Sequence, residues 1–132
     1  MMIAILLLII ISGWQIYRTL TPVADSWQGY QQQAAMRQKL LMGIKADFGY
    51  GGMIHNFKNY VLRGQAKYLE RISNNYSSVN GALTQYSQLD GLTSQEQAAL
   101  TAIRQTAKTY YDNSQFIKQL LSDGKNAEGI DT

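Results

Sequence analysis

At 132 residues, 45% apolar and 16% charged, the chain is long enough for one core and too apolar for a disordered one. A net charge of +3 falls far short of the clustered Lys/Arg surface of a nucleic-acid binder, so no nucleic-acid partner is expected. The absence of cysteine excludes a disulfide framework and any thiolate metal site or nucleophile, while the single proline and nine tyrosines favour long uninterrupted helices.

The first element is an apolar run, MMIAILLLIIISGWQIY, over residues 1–17, ending before Arg18. A membrane-spanning helix needs roughly 17 to 25 residues, and Trp14 and Tyr17 occupy the positions of interfacial aromatics. No basic segment precedes the run and no small-x-small cleavage pattern follows it, so it reads as an uncleaved anchor rather than a secretory signal. The expected organisation is a membrane anchor at 1–17 and a helical domain at 18–132. With no charge ahead of the run, the residues alone do not orient it.

Beyond the anchor, Leu20, Val23, Trp27, Tyr30, Ala34, Arg37, Leu41, Ile44 and Phe48 alternate in steps of three and four, the seam of a coiled coil or bundle. Pro22 sits where a kink or fresh helical start costs least. Arg37 is the one charge on the seam; it is either a snorkelling or interface-paired arginine or a cation aimed at a bound anion or a partner subunit.

The stretch 49–64, GYGGMIHNFKNYVLRG, interrupts that pattern. On a helical wheel Tyr50, Ile54, Phe57 and Val61 form one stripe with Met53 and Tyr60 beside it. His55, Lys58 and Leu62 border the stripe, and Asn56, Asn59 and Arg63 project from the opposite face. Continuing the earlier seam by sevens lands instead on His55 and Leu62, so the stripe is offset by one residue. Gly49, Gly51 and Gly52 are the expected hinge that absorbs the offset, each at a cost of about 1 kcal/mol within a helix. The chain could reverse at this GYGG or at Arg63-Gly64-Gln65; Tyr68 resumes a bundle seam just after the second site, which favours the later turn.

A second bundle helix is expected from Ala66 to Leu89 on Leu69, Ile72, Tyr76, Val79, Leu83 and Tyr86, closed by Asp90-Gly91. Thr93 and Glu96 then form a capping-box signature for a third helix whose seam is Leu100, Ile103, Ala107, Tyr110, Ser114, Ile117 and Leu121, closed by Asp123-Gly124. The expected fold is therefore all-α: a membrane-anchored antiparallel helical bundle with three long helices present and a fourth missing. A second chain supplies the open face, or the fourth helix lies in sequence not included here; a homodimer is expected in either case.

Nothing in the sequence forms a paired-carboxylate site, a phosphate-cradling glycine loop or a nucleophile with a base, so no enzyme is expected. GYGG is not GxGxxG, and its context is helical. His55 is the only histidine, and neither a metal nor a cofactor is expected at it.

The anchor, the first helix ending in YVLRG-x-x-x-Y, the DGLTSQEQ turn and above all GYGGMIHNFKNYVLRGQAKYLE resemble the extracytoplasmic four-helix-bundle sensor regions of bacterial transmembrane receptors. In particular they resemble the type found ahead of chemoreceptor, histidine kinase and diguanylate cyclase modules. The resemblance implies an inner-membrane protein with a periplasmic sensor domain, a homodimer, and a site for a small-molecule ligand or a periplasmic partner on the distal part of the first helix. There is no acid between Asp47 and Glu70, whereas His55, Lys58, Arg63 and Lys67 are basic, which suits a small anion. Asn56 and Asn59 would add neutral hydrogen-bonding groups, and Tyr50, Phe57 and Tyr60 would wall the pocket.

Overall fold

The computed structural model describes the backbone of residues 2–123 and the side chains of residues 14–15 and 26–123. It is all-α: α1 (Met2–Phe48), α2 (Met53–Arg63), α3 (Ala66–Ser87) and α4 (Ser94–Ser122), with no strand among the described residues. The expected third-helix stop at Asp123-Gly124 falls at the edge of this range; Asp123 is the C-cap of α4, and Gly124 lies outside the described residues. The chain separates into two compact units, Met1–Met36 and Arg37–Thr132.

In the first unit the rings of Trp27 and Tyr30 stack at 6.1 Å between centroids, and both side chains are exposed. Among the described residues no helix is long and apolar enough to cross a membrane. This corrects the expectation of a visible N-terminal span and the inner-membrane, periplasmic placement that followed from it. A span needs about 20 predominantly apolar residues in succession, and the helical segments whose side chains are described, residues 14–15 and 26–122, contain no such run. Most of the run at 1–17 has side chains outside the described residues.

The second unit holds the core. Its chain directions follow from side-chain pairs. Tyr86 meets Glu96 and Tyr76 stacks on Tyr111, so α3 and α4 run in opposite directions on either side of the 88–93 turn. Arg63 reaches Tyr68 and Asn56 reaches Asn75, so α2 and α3 also run in opposite directions. The reversal is therefore at Gly64, the later of the two candidate turns. Gly64 adopts φ +61°, and its N–H donates to the Tyr60 carbonyl at 2.8 Å, a left-handed helix end that glycine takes without a Cβ penalty.

The other helix ends also follow local chemistry. Gly91 has φ +67° in the turn that separates α3 from α4. The Thr93 hydroxyl accepts from the Glu96 N–H at 3.1 Å while Glu96 Oε2 accepts from the Thr93 N–H at 2.8 Å, completing the capping box. The Glu96 carboxyl lies below its usual range, first because of that Thr93 N–H and then because of the Thr93 hydroxyl.

Ile72, Val79 and Leu83 of α3 are fully buried, with Tyr68 and Tyr86 nearly so; Leu100, Ala107 and Ile117 of α4 face them. From α1 the buried residues are Leu40 and Ile44, whereas Leu41 is 47% exposed. The helix thus turns the Leu40 side of its seam inward. Arg37 fixes that rotation: its Nη2 donates to the Asp90 carbonyl at 2.6 Å and its Nη1 lies 3.4 Å from Glu96 Oε1. Of the two expectations for Arg37, the structure realises pairing, and the pairing is within the chain.

Candidate functional site

Residues 49–52 join α1 to α2 without reversing the chain, and the joint is tighter than a kink. Gly52 N–H donates to the Gly49 carbonyl at 2.9 Å. A Cβ on Gly49 would sit 2.5 Å from the Lys45 carbonyl oxygen, and a Cβ on Gly52 would overlap the Asp47 carbonyl and lie 2.6 Å from the Ala46 oxygen. Gly51 has nothing within 4 Å of such an atom. Two of the three expected hinge glycines are therefore required by close backbone approach, and Gly51 is not.

The joint also resets which face of the helix looks inward. Phe48 and Phe57 both meet the Tyr110 ring edge-on, at 6.0 and 5.1 Å. Asp47 and Asn56 both bond to the side chain of Asn75. Each pair is nine residues apart in sequence. At 3.6 residues per turn, nine residues of unbroken helix make about two and a half turns and would put the members of each pair on opposite faces. The joint supplies the missing half-turn. This corrects the expected one-residue offset, and with it the wheel: the buried side of α2 is Met53, Asn56 and Tyr60, with Phe57 and Val61 half-buried.

Asn56, expected on the outer face, is 6% exposed. Its Nδ2 donates to the Gly52 carbonyl and to Asn75 Oδ1, both at 3.0 Å, and Asn75 Nδ2 donates to Asp47 Oδ1 at 3.2 Å. Both ends of this chain are pure acceptors, a carbonyl and a carboxylate, which fixes the orientation of both amides. The chain ties the end of α1, the joint, α2 and α3 together.

Beside it lies an open cleft of about 410 Å³ lined by Gly51, His55, Asn56, Arg71, Asn74 and Asn75. Arg71, Asn74 and Asn75 stand at i, i+3 and i+4 on α3 and so share a face. Arg71 is the only fixed charge in the lining, and no carboxylate lines it. The first turn of α2, which contributes His55 and Asn56 to the lining, has no side-chain cap and no acid, so its dipole adds to the positive potential. The arrangement can bind an anion and hydrogen-bond to its neutral parts.

Of the residues expected to bind a ligand, His55 and Asn56 line the cleft and the others do not. Asn59 is next to it: its Nδ2 donates to the His55 carbonyl at 2.9 Å and lies 2.9 Å from His55 Nε2, holding the imidazole. Lys58 is exposed elsewhere on α2. Arg63 donates to the Tyr68 hydroxyl at 2.9 Å and, with Lys67, lies over the Tyr68 ring, which engages both cations at the Gly64 turn. Tyr50 is 87% exposed in the joint, Phe57 packs on Tyr110, and Tyr60 is buried in the core, its phenol pushed up by desolvation. Those three do not wall a pocket together.

Asp47, Arg71, Asn74 and Asn75 escaped the sequence reading. The signal available was the polar triplet at i, i+3 and i+4 flanking the seam residues Ile72 and Tyr76. Among the described residues no group of three His, Cys, Asp or Glu side chains could hold a metal ion. No family model, curated protein or solved structure matches the chain.

Proposed function

We propose that this chain is the ligand-sensing domain of a signal-transduction receptor: an antiparallel helical bundle, working as a homodimer, that binds a small anion beside the joint and converts occupancy into a displacement of α1 against α2. The reading is non-catalytic. The cleft carries it, since a molecule seated there touches the joint at Gly51, α2 at His55 and Asn56, and α3 at Arg71, Asn74 and Asn75. A ligand shifts an equilibrium only by differential contact with two states, and the joint is where two arrangements of one helix line could differ. The amide chain leads from the cleft wall to Asp47 on α1. The resemblance of GYGGMIHNFKNYVLRGQAKYLE to receptor sensor regions points the same way.

A second reading is a structural helical oligomer without a ligand. It draws on an apolar groove of about 390 Å³ lined chiefly by Leu41, Ile44 and Phe48 at the end of α1 and by Ile103 of α4.

Isothermal titration of the chain against a panel of small organic anions separates the two. The sensor reading expects saturable binding that is lost in Gly51→Trp, a substitution with open space around it that fills the cleft. Self-association that no panel member alters, together with no binding to the cleft, would establish the structural oligomer instead.

A further inference from the structure

The cleft constrains its ligand more narrowly than by sign. Its lining has one fixed cation, Arg71, so a ligand with a single negative charge is neutralised there while a dianion keeps an uncompensated charge. The guanidinium is a planar fork that matches a carboxylate through two parallel hydrogen bonds. The opposite wall has the reverse polarity. Both protons of the Asn56 amide are committed, to Gly52 and Asn75, and one proton of Asn75 is committed to Asp47. What Asn56 offers a ligand is therefore an acceptor oxygen, and the group placed against it must donate. A donor with a positive charge is disfavoured beside Arg71 and the uncapped α2 N-terminus, so the donor is neutral, and a hydroxyl is the smallest neutral donor that a short carboxylate carries. At about 410 Å³ the cleft is at the small end of ligand sites, which run from about 300 to 1,000 Å³.

We infer that the ligand is a small hydroxycarboxylate, its carboxylate on the Arg71 fork and its hydroxyl donating to the Asn56 amide oxygen. This rests on the sensor reading of the same cleft and adds the chemical class.

The test is titration calorimetry of the full chain with glycolate, acetate, glycine and inorganic phosphate. Glycolate is expected to bind with one site per chain. Acetate, lacking the hydroxyl, should bind up to about tenfold more weakly, the worth of one hydrogen bond. Glycine and phosphate should be weaker still. Arg71→Gln should weaken glycolate binding at least tenfold with an unchanged far-ultraviolet circular dichroism spectrum, and Arg71→Lys, which keeps the charge without the fork, should recover only part of it. Glycine or phosphate binding as tightly as glycolate overturns the inference, as does full binding by Arg71→Gln. If one of those other probes binds and Gly51→Trp abolishes it, the hydroxycarboxylate class falls and the cleft remains the ligand site. If no probe binds, and the wider anion panel also fails, both fall together.

Discussion

Replacing Gly52 by alanine tests the joint most directly. The added methyl would overlap the Asp47 carbonyl and approach the Ala46 oxygen to 2.6 Å, and both obstacles are backbone, so no side chain can swing aside. Relief requires the last turn of α1 to move away from α2. That movement breaks the Gly52–Gly49 hydrogen bond and pulls the Gly52 carbonyl from the Asn56 amide. Overpacking a fitted site costs about 1–3 kcal/mol, and each of the two hydrogen bonds lost adds about 1 kcal/mol, so the expected loss is roughly 3–5 kcal/mol. For a domain of this size each kcal/mol lowers Tm by about 4–8 °C. The fall should therefore exceed about 10 °C in thermal unfolding followed by circular dichroism, with a matching drop in the urea midpoint. Gly51→Ala is the control: open space surrounds its Cβ and its φ is not positive, so stability should be unchanged or higher by up to about 1 kcal/mol. A Gly52→Ala protein within about 0.5 kcal/mol of the unmodified chain would refute the close approach and the half-turn built on it.

Three further outcomes are expected. Asn56→Leu should cost about 1–3 kcal/mol in urea unfolding because it leaves Asn75 Oδ1 without its donor, and a double-mutant cycle with Asn75→Leu should show coupling of about 0.5–3 kcal/mol; strict additivity would remove the amide chain as a unit. Leu40→Ala should lose about 2–5 kcal/mol and Leu41→Ala no more than about 0.5 kcal/mol, since only the first is buried; equal losses would return the seam to Leu41. The Glu96 carboxyl is held below its unfolded value, so it contributes stability above the ordinary glutamate pKa, and that contribution is lost as pH falls through the lower folded pKa. Acid titrations of stability should therefore be flatter in Glu96→Gln, and Thr93→Ala, which removes the N-cap oxygen, should cost about 0.5–2 kcal/mol near neutral pH.

Element boundaries were legible wherever a few adjacent residues decide them. Asp90-Gly91 needs a left-handed glycine, Thr93 and Glu96 satisfy one another three residues apart, and Gly64 ends α2 with a positive φ. The phase of α2 was not legible. A wheel carries the periodicity of one helix but not its rotation relative to the next, and here the rotation is set by Tyr110 and Asn75, far along the chain. Asn56 was misplaced for the same reason: a lone asparagine is assigned to solvent by default, and only a partner amide on α3 makes its burial affordable. Half of the cleft escaped because Arg71, Asn74 and Asn75 mark a site only once α2 is laid against α3.

The segment Arg37–Phe48 is pinned by polar contacts at both ends and by apolar contacts between them. Arg37 holds one end on Asp90 and Glu96, Asp47 holds the other on Asn75, and Leu40 and Ile44 fill the interval. Apolar burial tolerates small rotations because it has no direction. The amide chain does not, since both of its ends are acceptors and each amide has one usable orientation. Turning α2 by one residue against α3 would break the Asn56–Asn75 bond and leave the Asn75 oxygen without its donor, at a cost of about 1–3 kcal/mol. A ligand that prefers one arrangement by about ten- to a hundredfold supplies that much. On the proposed sensor reading, that balance holds the joint in one state when the cleft is empty and lets a small molecule bound there change it.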